Sequence, residues 1–303
     1  MELARAVATE LGVALVERVS ETFPDGERRV EILSSVRGAD VYVVQPTGPP
    51  VADSLLELLL LADACRRAGA SRLTAVVSYF GYARQERRAR GREPIAARLV
   101  ADLVATAGFD RIVALDLHEP ALEGFPPIPV EHLTATKLLA EAVRPLVPEN
   151  AVVVGPDLGA TKLAERLATA WEKPVAVVHK LRTSGENVRA LRVIGDVKGR
   201  APVIVDDMIS TAGTVVACAH ALEQAGCVKP LLVLATHGLL VGEALERLRS
   251  LDLEALFVTD SLAVDVAKAR GLPLRTVSVA SLLASAISRL HREESLADLR
   301  VHV

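Results

Sequence analysis

Short apolar runs alternate along the chain with longer amphipathic segments, which is the pattern of strands that alternate with helices. The runs 40–44, 152–154 and 203–205 are largely apolar, as expected of parallel strands that are buried on both faces. Segment 52–67 instead repeats leucine and alanine at helical spacing. The alternation predicts an α/β fold with mainly parallel sheets flanked by helices. The predicted strands are residues 14–19, 29–33, 40–44, 73–77, 111–115, 152–154, 175–178 and 203–205, and the predicted helices are residues 1–12, 52–67, 137–143 and 215–224, with a further strand and a closing helix in 257–303.

The order of elements repeats within the chain. Residues 40–82 and 202–238 both read as strand, loop, helix, Ala-Gly, strand and loop, with Ala68-Gly69 in the first copy where Ala225-Gly226 stands in the second. This self-similarity predicts a duplicated α/β half. The Pro-Leu-Val-Pro sequence 145–148 is typical of a linker. We therefore predict two similar domains, residues 1–147 and 148–303.

Composition narrows the class of function. The 303 residues carry a formal net charge of -3 with a pI near 6.2, whereas a nucleic-acid-binding protein usually has a basic surplus. The three cysteines have no C-x-x-C spacing, which argues against a zinc site or a disulfide framework. The N-terminus lacks the features of a signal peptide, and Glu57 interrupts the most apolar segment, 55–62. We expect a soluble cytoplasmic protein that binds small molecules and neither nucleic acid nor membrane.

One stretch has the chemistry of a ligand site. The apolar strand 203–205 ends at Asp206 and Asp207, after which small and hydroxylated residues lead into a helix. Backbone N–H groups at a helix N-terminus bind anions, and Gly213 would let such an anion approach closely and permit any positive φ that the turn needs. Carboxylates need a different partner, either sugar hydroxyls or a divalent cation. A phosphorylated sugar satisfies both requirements. The candidate phosphate contacts are Ser210, Thr211, Ala212, Gly213 and Thr214.

This stretch resembles the motif that binds phosphoribosyl pyrophosphate (PRPP) in phosphoribosyltransferases and in PRPP synthetases. The shared pattern is an apolar strand, two acids and a Thr-Ala/Gly-Gly-Thr loop. An ordinary strand-turn-helix connection with helix caps is the alternative interpretation. The motif alone does not distinguish among the members of these families.

Other candidates lie at turns and strand ends. The Pro-Asp-Gly sequence within 23–27 indicates a tight turn. Three of the nine aromatic residues fall in 79–82, where they could stack on a flat ligand, and Arg84 and Gln85 beside them are candidates for nucleotide binding. The arginines between Arg87 and Arg92 are more typical of a solvated face or a subunit contact.

Two further strand ends carry polar residues. Asp116 and His118 alternate just beyond strand 111–115, so both side chains could project to one side. Lys180 and Arg182 follow strand 175–178 and precede a polar run, and together they could clamp a phosphate. For each cation alone, a surface ion pair is the commoner role.

Taken together, these segments resemble the PRPP synthetases, also called ribose-phosphate pyrophosphokinases, over nearly the whole chain. The resemblance implies two phosphoribosyltransferase-like domains. It also implies transfer of the pyrophosphoryl group of Mg-ATP to the 1-hydroxyl of ribose 5-phosphate, which gives PRPP and AMP for nucleotide, histidine and tryptophan biosynthesis. It further implies a homo-oligomer, either a hexamer or a tetramer built from dimers. The segments that carry the resemblance are 23–27, 79–88, 116–118, 155–157, 180–182 and 206–214.

The same resemblance implies roles for individual residues. Lys180 and Arg182 would be catalytic, and Mg²⁺ or the metal-bound triphosphate would be held by His118 and Asp157. The N-terminal domain would bind ATP and the C-terminal domain ribose 5-phosphate. The residues implied for ATP are Phe23, Asp25, Gly26, Glu27, Arg84, Gln85 and His118. The residues implied for ribose 5-phosphate are Arg182, Asp206, Asp207, Ser210, Thr211, Ala212, Gly213 and Thr214.

Departures from the family pattern leave regulation and the number of subunits open, and two alternative functions are considered separately. Leu181 and Thr183 replace the usual Arg and Pro, Glu86 replaces Asp, and Ser210 stands where many bacterial members have Asp. A phosphoribosyltransferase that uses PRPP would need only the 206–214 loop and not the nucleotide segments. A non-catalytic regulatory subunit of the same fold would be expected to lack Lys180, His118 or Asp157.

Overall fold

The computed structural model describes residues 2–182 and 189–300, and for residues 180–182, 189 and 190 it describes the backbone alone. The chain forms two compact units, described separately below. Unit 1 comprises the chain up to Thr134 together with the chain from Val279 onward, and unit 2 comprises Ala135–Ser278. Within the described residues, no helix has both the length and the apolar character needed to cross a bilayer.

Unit 1 is built on a four-stranded parallel sheet with a separate hairpin. Its elements are α1 (Glu2–Leu11), β1 (Arg18–Thr22), β2 (Arg28–Ile32), β3 (Asp40–Val44), α2 (Val51–Arg67), β4 (Arg72–Val77), α3 (Ala96–Thr106), β5 (Arg111–Leu115), β6 (Val130–Leu133) and α8 (Ala280–His291), with 3-10 helices at Pro120–Gly124 and Ala297–Leu299. The sheet order is β3-β4-β5-β6, and β1 and β2 form an antiparallel pair. Leu58, Leu73 and Ile112 lie in its core. The predicted strand at 14–19 is observed at Arg18–Thr22, where it pairs with β2.

Unit 2 contains a seven-stranded sheet in the order β13-β12-β11-β10-β7-β8-β9, in which β8 and β9 are antiparallel and all other pairs parallel. The central strands are β7 and β10, and Val152, Val203 and Ile204 within them are fully buried. The elements are α4 (Thr136–Val143), β7 (Ala151–Gly155), α5 (Thr161–Trp171), β8 (Val175–Arg182), β9 (Arg189–Ile194), β10 (Ala201–Ile209), α6 (Gly213–Gln224), β11 (Leu231–Gly238), α7 (Ala244–Arg249), β12 (Leu253–Thr259) and β13 (Leu274–Val277), with a 3-10 helix at Arg144–Leu146. The prediction of an α/β protein with mainly parallel sheets is confirmed.

The contacts divide the chain at a different place from the predicted boundary at 147/148. Helix α4 packs against α5 of unit 2, where the indole N–H of Trp171 donates to the carbonyl of Ala140 at 3.0 Å. At the other end of the chain, α8 packs against α1, and His291 Nδ1 lies 2.9 Å from Asp40 Oδ2. The apolar faces of α4 and α8, which the sequence does not assign to partners, determine where each helix belongs.

The predicted repeat is visible in the backbone hydrogen bonds of the two units. Helix α2 is followed by Gly69 at φ +88° and helix α6 by Gly226 at φ +87°. The carbonyl of Gly69 accepts the N–H of Gly38 at 2.8 Å, and that of Gly226 accepts the N–H of Gly199 at 2.8 Å. Each glycine therefore closes its helix in the left-handed region and ties the helix end to the turn before the preceding strand.

Candidate active site

The strongest candidate ligand site of unit 2 lies near the carboxyl end of β10. This strand is central in its sheet and runs to Ile209, so Asp206 and Asp207 lie within the strand and not beyond it as the sequence predicted, and both are partly exposed. The loop that follows is tied to the chain after β11, because Val241 N–H donates to Ser210 O at 3.0 Å. Helix α6 begins at Gly213, and the first amide groups of a helix have no acceptor within it. The N–H groups of the first turn of α6 are therefore available to an anion.

The backbone of this loop corrects one sequence expectation. The residue with positive φ is Ala212, at φ 60°, and not Gly213. A Cβ atom at Gly213 would lie 3.7 Å from Arg247 Nη1 and 3.9 Å from Thr211 Oγ1, which are ordinary contacts. The protein itself therefore tolerates a small side chain at Gly213. A non-glycine residue in the left-handed region costs free energy and is common at ligand-binding loops.

Arg247 is a residue that the sequence analysis missed. It lies on α7, and its Nη1 donates to the carbonyl of Thr211 at 3.0 Å while its Nη2 contacts Glu243 at 2.6 Å. This contact ties the loop backbone to α7. A single arginine in a charged helix carries no sequence signal of such a role.

Negative charge accumulates beside the loop. The pKa of Asp206 is raised well above its ordinary value, first by burial and then by the charge and hydrogen bond of Asp207 and the charge of Asp157. Asp157 Oδ1 accepts the N–H of Gly159 at 2.9 Å, which fixes this carboxylate just beyond β7. Three carboxylates that repel one another favour a ligand with hydroxyl donors or a cation.

The carboxylates do not form a complete metal site by themselves. No group of three or more His, Cys, Asp or Glu side chains within the described ranges 2–179 and 191–300 is arranged to hold a metal ion. Mg²⁺ commonly uses one or two carboxylates and completes its shell with water and substrate phosphates. The oxygen donors present therefore fit Mg²⁺ that arrives with a substrate.

In unit 1, the turn between β1 and β2 carries the candidate nucleotide contacts. Phe23 N–H donates to Glu27 O at 2.7 Å, Gly26 N–H donates to Phe23 O at 2.9 Å, and Glu27 N–H donates to Asp25 Oδ1 at 3.0 Å. Gly26 adopts φ +95°, as the Pro-Asp-Gly pattern predicts. The Phe23 side chain is 42% exposed, so the aromatic ring is available to a ligand.

The aromatic segment after β4 is buried rather than offered to a ligand, contrary to the sequence expectation. Tyr79 and Phe80 retain only 5% and 8% exposure. Gly81 N–H donates to Thr47 Oγ1 at 2.7 Å, so this segment is held against the loop after β3. The neighbouring Arg84 and Gln85 are exposed, and the backbone of Gln85 is fixed by its bond to Tyr82 O at 2.9 Å.

The end of β5 places His118 on the surface of unit 1. Just before it, Asp116 adopts φ 37°, and the N–H of Leu117 donates to Nε2 of the buried His132 at 2.8 Å. Nδ1 of His132 in turn contacts Glu123 at 3.0 Å. His132 thus fixes the backbone beside His118, a role that an isolated histidine does not reveal in a sequence.

The two predicted catalytic residues lie at the end of β8. The backbone of Lys180 pairs with Leu191 and that of Arg182 with Arg189 on the antiparallel strand β9. Their side chains, and all of Thr183, lie outside the described part of the structure. His118 belongs to unit 1 and Asp157 to unit 2, and each is positioned by the elements of its own unit.

Comparison with known families gives two matches along the chain. Residues 1–108 match the model of the N-terminal domain of ribose phosphate pyrophosphokinase. Residues 182–300 match the model of the phosphoribosyl synthetase-associated domain. The two matches together cover more than half of the chain.

Individual relatives extend the similarity to nearly the full length. The ribose-phosphate pyrophosphokinase of Staphylococcus saprophyticus is 42% identical, and that of Staphylococcus aureus is 41% identical, each over 98% of this chain and 93% of the relative. The crystal structure of phosphoribosylpyrophosphate synthetase from Mycobacterium smegmatis superposes with a TM-score of 0.90 at 40% identity and covers 96% of both chains. The chain belongs to the ribose-phosphate pyrophosphokinase family, the PRPP synthetases.

Proposed function

We propose that this protein synthesises PRPP and AMP from ribose 5-phosphate and ATP. The observation that carries the proposal is the acidic pair and phosphate loop at the end of β10, in a chain that is similar to ribose-phosphate pyrophosphokinases over almost its entire length. The 1-hydroxyl oxygen of ribose 5-phosphate attacks the β-phosphorus of ATP and loses its proton. The bond from the β-phosphorus to the oxygen bridging the α- and β-phosphates breaks, and AMP leaves.

The loop after β10 is assigned to ribose 5-phosphate. The N–H groups and hydroxyls of 210–214 hold the 5-phosphate, and Asp206 and Asp207 accept hydrogen bonds from the ribose hydroxyls. Sugar hydroxyls would donate to the carboxylates whose charges otherwise repel one another. Burial and the charge of Asp207 raise the pKa of Asp206, and hydroxyl donors from a sugar would offset both effects.

ATP is assigned to the exposed residues of unit 1. Phe23 stacks on the adenine, and the turn residues Asp25, Gly26 and Glu27 hold the nucleotide together with Arg84, Gln85 and His118. The support is the exposure of Phe23, Arg84 and Gln85 and the hydrogen-bonded geometry of the turn. Stacking on an exposed aromatic ring suits a base, which presents a flat face.

Lys180 and Arg182 are assigned to the chemical step. Phosphoryl-type transfer depends on in-line positioning and on cations that neutralise charge on the transferred group. Both residues lie near the end of β8, and their backbones pair with those of β9. Arg182 also contributes to ribose 5-phosphate binding.

Mg²⁺ is the proposed cofactor, with His118 and Asp157 as the residues that hold it or the metal-bound triphosphate. The carboxylates beside β7 and β10 provide the oxygen donors that Mg²⁺ prefers. When bound, the ion neutralises charge on the triphosphate. Asp157, fixed by the amide of Gly159, would orient it.

The remaining expectations concern organisation. We propose a homo-oligomer in the cytoplasm, a hexamer or a tetramer built from dimers, with residues 1–147 and 148–303 as its two phosphoribosyltransferase-like domains. The exposed side chains of Arg87, Arg88 and Arg90 are available for a subunit contact. The net charge of -3 supports small-molecule substrates over nucleic acid.

The deciding experiment incubates the protein with ATP and magnesium, with and without ribose 5-phosphate, and separates the nucleotide products. We expect AMP to form only when ribose 5-phosphate is present, in equal amount to PRPP. ADP as the sole nucleotide product would contradict the proposal. Sedimentation at assay concentration tests the oligomer, and a fully active monomer would show that the arginines are merely solvated.

A further inference from the structure

A carboxylate inside unit 1 connects the β1–β2 hairpin to helix α2. Glu57 lies on α2 and retains 8% exposure. Its Oε1 accepts hydrogen bonds from Arg18 Nη1 at 2.9 Å and Ser20 Oγ at 2.6 Å, and its Oε2 accepts one from Arg28 Nη1 at 2.9 Å. These three donors belong to the hairpin, so a single side chain of α2 holds both of its strands, and the amide of Gln45 after β3 also donates to Oε2 at 3.4 Å.

The two arginines that donate to Glu57 lie at opposite ends of the hairpin. The antiparallel ladder runs from the pair Arg18 and Ile32 to the pair Thr22 and Arg28. Arg18 is therefore at the base of the hairpin, and Arg28 directly follows the turn at 23–27. Because Glu57 binds both arginines, it fixes the orientation of the hairpin as well as its distance from α2.

The hairpin has few other means of support. An isolated two-stranded hairpin is at best marginally stable in water. Ser20, Glu21 and Thr22 of β1 are exposed, and from β2 only Val30 and Ile32 pack, partly buried, against the core of the unit. These two apolar side chains fix how closely β2 packs against the core, but they restrain its rotation about the strand axis only weakly. The ion pairs supply that restraint.

The charge state of Glu57 agrees with this arrangement. Burial raises the pKa of Glu57, but the hydrogen bonds from Ser20 and Arg18 and the charges of Arg18 and Arg28 outweigh it, so that the pKa is lowered. A carboxylate that is desolvated between two arginines contributes more to a unique geometry than to stability. No ligand contact is needed to explain its burial.

We propose that Glu57 is a positioning residue for the nucleotide. It holds the β1–β2 hairpin so that Phe23 to Glu27 are already in place when ATP binds. The inference rests on the proposed function in one respect, the assignment of ATP to this turn. Preorganised binding residues lower the free-energy cost of ordering upon binding.

The test is Glu57→Gln, which preserves size and the acceptor for Ser20 but removes the charge between the arginines. We expect the KM for ATP to rise about tenfold, because small displacements of positioned groups have effects of this order or larger. The kcat at saturating ATP and the KM for ribose 5-phosphate should stay within about twofold of wild type, since both depend on unit 2 and on groups away from the hairpin.

Glu31→Gln is the matched control. Glu31 lies on the same hairpin and pairs with Arg29 at 2.5 Å, but both side chains are about half exposed. Removing this exposed pair should leave the KM for ATP unchanged. Equal effects of Glu31→Gln and Glu57→Gln, or a fall in kcat as large as the rise in KM, would overturn the positioning role.

Hydrogen exchange gives a readout that does not depend on activity. In Glu57→Gln, the amides of Phe23 and Glu27 should exchange at least about tenfold faster, while amides of β4 and β10 keep their wild-type rates. Should Glu57→Gln fail to fold, Ser20→Ala removes one bond to the same carboxylate and should shift exchange and KM in the same direction by less. Unchanged turn exchange in a folded variant refutes the proposal. If wild type forms no AMP while turn exchange responds as expected, the function is wrong and the anchoring by Glu57 stands.

Discussion

The two copies of the strand-loop-helix repeat use the space after their first strand in different ways. In the copy formed by β3, α2 and β4, Thr47 in the loop is buried and bonds the segment after β4, with Gly81 N–H 2.7 Å from Thr47 Oγ1. A Cβ atom at Gly81 would lie 2.4 Å from Thr47 O. The chain itself therefore fills the space around Gly81.

In the copy formed by β10, α6 and β11, there is room for a side chain at Gly213, where the helix begins after the first strand. The nearest protein atoms to a Cβ at Gly213 are 3.7 Å and 3.9 Å away. Unit 1 therefore has a closed loop, the packed segment at Gly81, and unit 2 has an open loop, the turn 210–214. A Cβ atom at Gly81 would meet a backbone oxygen, whereas one at Gly213 would meet only side-chain atoms at ordinary distances.

The largest expected effect tests whether the chemical step depends on residues outside the two loops proposed to bind the substrates, 23–27 and 210–214. Lys180→Ala should lower kcat by about 10²–10³, the range found when one preorganised charge donor is removed. Affinity for both substrates should be nearly unchanged, because Lys180 belongs to neither loop. Steady-state kinetics combined with calorimetric titration provide the comparison, and a near wild-type kcat would refute the catalytic assignment.

Filling the open loop is expected to have the next largest effect. Gly213→Val should weaken ribose 5-phosphate binding by at least about 100-fold, because the branched side chain enters the anion space. The fold should survive, since Gly213 lacks a positive φ and its surroundings accept a Cβ. ATP affinity should stay close to wild type. Loss of ATP affinity with normal ribose 5-phosphate binding would reverse the assignment of the two sites.

A substitution in the closed loop should mainly lower the stability of the protein. Gly81→Ala forces a Cβ against a backbone oxygen, so we expect a loss of about 1–3 kcal/mol in the free energy of unfolding. Chemical denaturation of Gly81→Ala and Gly213→Ala in parallel measures the contrast. Equal stability of the two variants would show that the closed loop at Gly81 is packed no more tightly than the open loop at Gly213.

The smallest expected effect concerns charge at the open loop. The folded state raises the pKa of Asp206, mainly through burial and the charge of Asp207, so protonation favours folding. Its contribution to stability is present below the ordinary pKa of 3.8 and is lost as pH rises through the folded value. Asp206→Asn should therefore raise the free energy of unfolding at pH 7 by about 0.5–2 kcal/mol while weakening ribose 5-phosphate binding.

Melting at a series of pH values checks this expectation. The advantage of Asp206→Asn over wild type should shrink as the pH falls toward 4. A constant difference at every pH would mean that the carboxylate is not destabilised by its surroundings.

Local patterns predicted most of the elements and the two loops. The apolar runs at β7 and β10 predicted buried parallel strands because such strands need no polar face. Ala68-Gly69 and Ala225-Gly226 predicted the helix ends because only glycine adopts φ near +87° without strain. The predicted end of the strand at the acidic pair was wrong, because β10 continues to Ile209 through its pairing with β11.

Features that depend on distant residues were not predicted. The left-handed residue of the loop is Ala212 and not its glycine neighbour, because contacts to Arg247 and Val241 fix this backbone. In the sequence, Glu57 appears only as a charged residue that interrupts an apolar segment. The arginines that neutralise it are 29 and 39 residues away. Neither set of long-range contacts can be recognised from a short stretch of sequence.

The return of α8 to α1 means that unit 2 is an insertion within unit 1. During synthesis on the ribosome, every element of unit 2 has been made before α8 is translated. Unit 2 can therefore fold first, before α8 has been made and can cover Leu3 and Val7 on the buried face of α1. A nascent or truncated chain that ends near Ser278 would expose this apolar face of α1 to chaperones and proteases. Quality control can therefore recognise an incomplete molecule even when unit 2 is already folded.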